Sequence, residues 1–168
     1  MQLFKFISMS ACFAIGLALF QTPAAAQGTQ IAFGGLKHDS SLPVEITSDQ
    51  LNVDQSTGKA IFSGDVLIGQ GSLRLTATTV EVIYNQGNTS EISQLVASGG
   101  VTFVNSGEAI EAQNAVYDID AATVTLTGGV ILTQGANALS GERMVVNLNT
   151  GTGQIDGRVK TILQPGTQ

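Results

Sequence analysis

One pattern recurs four times along this chain of 168 residues. The stretches that begin at Ile46, Leu75, Ile110 and Leu139 superimpose Ser48, Ala77, Ala112 and Gly141, at intervals of 29, 35 and 29 residues. Each small residue is followed by an alternating apolar run, then a polar turn, then a Gly-x-Val segment. Those segments are Gly64-Asp65-Val66, Gly99-Gly100-Val101, Gly128-Gly129-Val130 and Gly157-Arg158-Val159. A two-strand unit of this size cannot bury its apolar face alone, so four copies must stack into one continuous interior. That interior is where a function is to be sought.

The composition agrees with strands. Charged residues make up 12%, aromatics 5%, and there are 20 Gly and no Trp. Thr and Val suit a pleated surface, whereas Gly weakens helices. After residue 30 no long window carries a helical period. The turns at 55–58, Asn85-Gln86-Gly87-Asn88, Asp120-Ala121 and Asn149-Thr150-Gly151 supply the Gly and Asn that tight hairpins need. The second copy is longer than the others, and the excess falls around 85–91, an enlarged loop on one rim.

Residues 1–26 read as a cleavable signal peptide: Lys5 gives a basic start, 6–20 an apolar run, and Ala24-Ala25-Ala26 a cleavage site before Gln27. An uncleaved single-span anchor is the rival reading, but the run is short for a membrane span. Cleavage would remove Cys12, leaving an exported chain without cysteine, held by core and strand pairing. Residues 27–43 are Gly-rich and without a period, and read as a flexible lead-in. The repeats fill 44–163, and 164–168 form a tail.

The alternation also assigns faces, because successive side chains of a strand point to opposite sides. In the first copy Leu51, Val53, Phe62, Val66 and Ile68 take the inward face. In the second Leu75, Val80, Val82, Val101 and Phe103 do so. The third contributes Tyr117, Ile119, Val124, Leu126, Val130 and Leu132, and the fourth Met144, Val146, Leu148, Ile155 and Val159. In the third copy the opposite face is mostly threonine. A strand repeat of this length fits either a parallel β-helix or an antiparallel, jelly-roll-like stack in two facing sheets. Turns as short as Asp120-Ala121 favour hairpins, hence an all-β antiparallel stack, open at both ends.

Catalysis has little to stand on. The one histidine, His38, lies in the lead-in and reads as a surface imidazole. Without a second histidine or a mature cysteine no nucleophilic triad can be assembled. Asp65, Glu81, Glu111, Asp118, Glu142 and Asp156 fall mostly on the outward parity, no cluster has metal-ligand spacing, and no cofactor is expected. A net charge of −6, or −7 once the leader and its Lys5 are removed, together with scattered cations, argues against nucleic acid. Two readings of the interior stay open. It is either a packed sandwich core, as in a structural or adhesive exported β-solenoid without a ligand, or a slot held ajar by small residues (Gly64, Gly99, Gly128, Gly157, Ser48, Ala77, Ala112, Gly141) that accepts apolar chains.

A leader followed by Ile46-x-Ser48-Asp49-x-Leu51-x-Val53, then Ala60-x-Phe62-x-Gly64-Asp65-Val66-x-Ile68, then repeated Gly-Gly-Val segments, resembles the OstA-like family of lipopolysaccharide-transport proteins over roughly residues 43–163. The resemblance implies a twisted jelly roll in the periplasm whose interior shelters lipid A acyl chains. It also implies head-to-tail self-association, with an LptC-like inner-membrane protein and an LptD-like outer-membrane protein joined by edge-strand addition, bridging the two membranes. Two unpaired edges, near 44–53 and 154–163, lie inside Pro43 and Pro165 and carry no internal proline. Lys59, Arg74 and Arg143 are the candidates for headgroup contact, all on the outward parity. The second reading for each is an ordinary surface charge.

Overall fold

The structure, a computed structural model, describes residues 29–32, 36–54, 59–85 and 88–164. The leader with its cleavage site at Ala26 and Gln27, the 55–58 turn, the centre of the enlarged loop and the last residues of the tail lie outside the described residues. Eleven strands follow one another: β1 (Thr29–Ala32), β2 (Glu45–Thr47), β3 (Gln50–Asp54), β4 (Lys59–Gln70), β5 (Leu73–Asn85), β6 (Asn88–Asn105), β7 (Glu108–Asp118), β8 (Thr123–Gln134), β9 (Asn137–Asn147), β10 (Thr152–Asp156) and β11 (Lys160–Ile162). Every pairing among them is antiparallel, which selects the jelly-roll-like stack over the β-helix.

The six long strands β4 to β9 form a meander, and each is broken at its middle. Pairing shifts between Ser63 and Val66, Thr76 and Thr79, Ser98 and Val101, Glu111 and Asn114, and Thr127 and Val130, one row of irregularities across the sheet. Gly99 and Gly100 show why the chain turns there. Both have φ near +85°, a region closed to most side chains, and a Cβ on Gly99 would stand 2.7 Å from Thr78 Cβ. The same close approach recurs where Gly64 meets Asp49, Gly128 meets Gln113 and Gly157 meets Glu142. In β4, β6 and β8 the bend takes two residues and the inward parity survives it, as Leu126 and Val130 show, whereas in β5, β7 and β9 a single residue bends and the parity flips, so that Ala77 and Val80 are both buried.

The bends divide the sheet into two layers over one core. The first layer pairs β3, the outer half of β4 and onward to β10. The second pairs β2, the other halves of β4 to β9, and β11. Buried side chains from both halves of each long strand join a single cluster, so the halves face each other. The two-strand unit read from the sequence is thus the hairpin of the first layer only. The second layer has its own turns at Gly71-Ser72, Ser106-Gly107 and Gly135-Ala136. The glycine row is a hinge and does not hold the layers ajar, because the space a Cβ would fill is taken by the neighbouring strand's side chain.

Two further expectations change. Residues 27–43 are not a free lead-in over their described part: β1 pairs with β10 in register from Thr29 opposite Ile155 to Ala32 opposite Thr152, and Leu36 is fully buried. The strand order β1-β10-β9-β8-β7-β6-β5-β4-β2 therefore places two consecutive strands at opposite ends of the sheet. As a result, the edge expected at 154–163 is half covered by β1, leaving β11 as its open part. In the longer second copy, β6 extends to 18 residues, with irregular pairing where Tyr84 meets Ile92 and Asn85 meets Asn88.

Candidate functional site

The inward faces of both layers form one apolar body. Val66, Ile68, Leu75, Val80, Val82, Val101, Phe103 and Tyr117 are buried, as are Val124, Leu126, Val130, Leu132, Met144, Val146, Leu148 and Ile155. Phe62 and Ile119 are partly buried and pack against that cluster. Three residues given the inward parity are not inside. Leu51 and Val53 on β3 and Val159 beyond the last bend are 55%, 59% and 41% exposed. They lie at the sheet's two margins, where parity names a face but no opposing layer closes over it.

Other buried residues were missed. Leu73, Ile110 and Leu139 open strands of the second layer, and their parity with Leu75, Ala112 and Gly141 was there to find. Leu95, Ala97 and Ala115 extend the same face of the first layer. Leu36 had no periodic signal at all, being a lone apolar residue in a Gly-rich stretch.

Opposite the glycine hinge, the two rows of hairpin tips meet along a seam, and polar groups concentrate there. Tyr117 in the first layer donates its hydroxyl to Gln70 Oε1 at a tip of the second, at 2.8 Å. Burial pushes the Tyr117 pKa up to about 12. Gln70 Nε2 in turn donates to the carbonyls of Ser40 and Leu42, at 2.9 and 2.7 Å. Asn105 Nδ2 donates to Lys37 O, and Asn105 Oδ1 accepts from Ser72 Oγ. On the first-layer side, His38 N–H donates to Leu148 O at 2.8 Å, and Leu148 N–H to Ala122 O. Residues 36–42 thus run as a strap along the seam, bonded to tips of both layers.

His38 contradicts its reading as a surface imidazole. It is 8% exposed, with Nε2 lacking a hydrogen-bond partner among the described residues. Its ring approaches Gly71, whose missing Cβ would lie 3.2 Å from His38 Cε1. Past the seam, Asp39 Oδ1 accepts from Ser41 N and Oγ, which turns the strap toward β2 and holds the Asp39 pKa below the ordinary carboxylate value.

The outer face carries the charges. Lys59 pairs with Glu81 at 2.7 Å, and this hydrogen bond and charge raise the lysine pKa. Arg143 lies 3.7 Å from Asp156, and Arg74 donates to the carbonyls of Gly71 and Leu73 in its own hairpin. All three headgroup candidates are therefore engaged with the protein. Among the described residues no cluster of three or more His, Cys, Asp or Glu has the arrangement of a metal site. No described helix is long and apolar enough to cross a membrane.

The family described as LptA/(LptD N-terminal domain) LPS transport protein matches residues 45–152. An uncharacterized protein of Rhizobium meliloti (strain 1021) is 30% identical in an alignment covering 97% of this chain and 93% of its own length. The lipopolysaccharide export system protein LptH of Pseudomonas aeruginosa is 29% identical, covering 84% of this chain and 89% of that protein. The crystal structure of LptH, described as the LptA-homologous periplasmic component of a lipopolysaccharide transport device, superimposes with a TM-score of 0.68. That match covers 76% of this chain and 99% of the other, at 19% identity, so it speaks for the fold. Fold, repeat pattern and relatives converge: this chain belongs to the LptA/LptD N-terminal domain family of lipopolysaccharide transport proteins, in its OstA-like branch near LptA.

Proposed function

We propose that this protein is a periplasmic, non-enzymatic carrier that binds lipopolysaccharide by taking its lipid A acyl chains between the two layers. The observation that carries this reading is the uninterrupted apolar face that both halves of β4 to β9 turn inward, in a chain of this family. Each methylene moved from water into such a face contributes about 0.8 kcal/mol, so several partly buried acyl chains bind firmly without a covalent step. The phosphorylated headgroup stays outside, since Lys59, Arg74 and Arg143 all point outward. Movement of the ligand onward draws its energy from another component.

The two margins fit head-to-tail joining, and with it a bridge between inner and outer membranes through LptC-like and LptD-like partners. β3 leaves Leu51 and Val53 exposed at one end. At the other, Ile162 and Leu163 are 53% and 67% exposed beside a groove lined by Ile131, Ala138, Leu139 and Lys160. Edge strands with unpaired backbone groups and apolar side chains invite strand addition.

A displacement assay tests the carrier reading. Purified protein should bind a lipophilic fluorescent probe that lipopolysaccharide displaces, and depletion in the host should strand lipopolysaccharide at the inner membrane. A protein that binds neither probe nor lipopolysaccharide is instead a structural jelly roll with a dry core.

A further inference from the structure

The closed interior raises a question of access. Phe103, Val124, Leu126, Leu132, Met144 and Val146 have no exposed surface, so alkyl chains cannot lie among them until the layers part. Along the hinge the layers are joined covalently by every long strand. Along the seam they are joined by the hydrogen bond between Tyr117 and Gln70 and by the strap. Resting on the carrier reading above, we propose that the seam is the line along which the interior opens, and that residues 36–42 are an intramolecular clasp that lifts off to admit the alkyl chains of the ligand.

Three features make the strap suited to release. Its bonds to the second layer use two side chains, Gln70 and Asn105, received by strap carbonyls, and not a continuous ladder. It inserts Leu36 into the core, a single apolar group standing where an alkyl chain would enter. It also buries His38 Nε2 without a partner among the described residues, and an unsatisfied buried polar group weakens whatever segment carries it. The strap's bonds run from Leu148 at the β9–β10 turn, past Asn105, to Gln70 at the β4–β5 tip, so its release frees the stretch of seam between them.

Locking the clasp tests this. In the full chain with Cys12→Ser, cysteines replace Leu42 and Gly71, two exposed positions so close that a Cβ on Gly71 would lie 2.7 Å from Leu42 Cδ1. A photocrosslinking residue at Leu126 reports capture of purified lipopolysaccharide. With the disulfide formed, capture should fall at least ~10-fold, and reduction should restore it. Equal capture in both redox states, with the disulfide verified, overturns the clasp and leaves the interior site standing. Absence of capture in the reduced protein and in the parent alike removes the interior site and the clasp with it. Tyr117→Phe provides an arm that does not depend on the cysteines folding. Loss of one cross-seam hydrogen bond should speed capture about 5-fold, and an unchanged rate also overturns the proposal.

Discussion

The two long sides of this molecule are built on opposite principles. On the hinge side, backbone runs from layer to layer, in β4, β6 and β8 through residues held at positive φ, with neighbouring side chains filling the space a Cβ on Gly64, Gly99 or Gly128 would need. On the seam side, the bonds that join the layers among the described residues are made by side chains and by a strap of chain that arrives from the far margin of the sheet. A stiff side facing a fastened one is how a folded sheet can open without unfolding. Substitutions at the hinge should therefore unfold the protein, whereas substitutions at the seam should loosen it locally.

The sharpest contrast is at Gly99. Gly99→Val meets both the left-handed backbone and Thr78, and should lower unfolding free energy by roughly 3 kcal/mol in urea titration. Gly100→Ala has the same φ with nothing within 4 Å of its Cβ, and should cost about 1 kcal/mol. Equal losses at the two positions would show that close approach contributes nothing to the hinge.

At the seam, Tyr117→Phe should cost about 1 kcal/mol globally, with the largest acceleration of amide exchange at residues 36–42 and the tips they touch. The tyrosine also gives a pH signature. The fold favours its neutral form, raising its pKa from 10.0 to about 12, so its contribution is complete below pH 10 and is lost as the pH climbs through 12. Thermal melts across that window should fall less steeply in Tyr117→Phe than in the parent. The smallest effect belongs to the outer face: Lys59→Met breaks the exposed pair with Glu81 and should leave the urea midpoint unchanged.

The same contrast separates what the sequence revealed from what it hid. Alternation identified the inward face well where the bend takes two residues and preserves the phase, as from Ala122 to Leu132, and it missed Leu73, Ile110 and Leu139 in the strands whose one-residue bend reverses it. The small residues were found in register but given the wrong task. Spacing says that Gly99 and Ala77 recur, and only the pairing shows them at a bend with Thr78 seated over Gly99. Leu51, Val53 and Val159 carry inward parity at margins where nothing lies opposite, and periodicity does not record what lies opposite. The strap was hidden because its partners, Leu148, Asn105 and Gln70, are distant in the chain, and an aperiodic segment bonded through its carbonyls leaves no pattern of side chains.

The account turns on alkyl chains lying between the layers, and paired photocrosslinking probes that directly. Leu126 faces the core with no exposed surface, whereas Ile131 on the same strand faces outward and is 45% exposed. With lipopolysaccharide present, a photoreactive residue at Leu126 should capture it and one at Ile131 should not. Capture at Ile131 alone, or equally at both, would place the ligand on the outer surface and contradict the account.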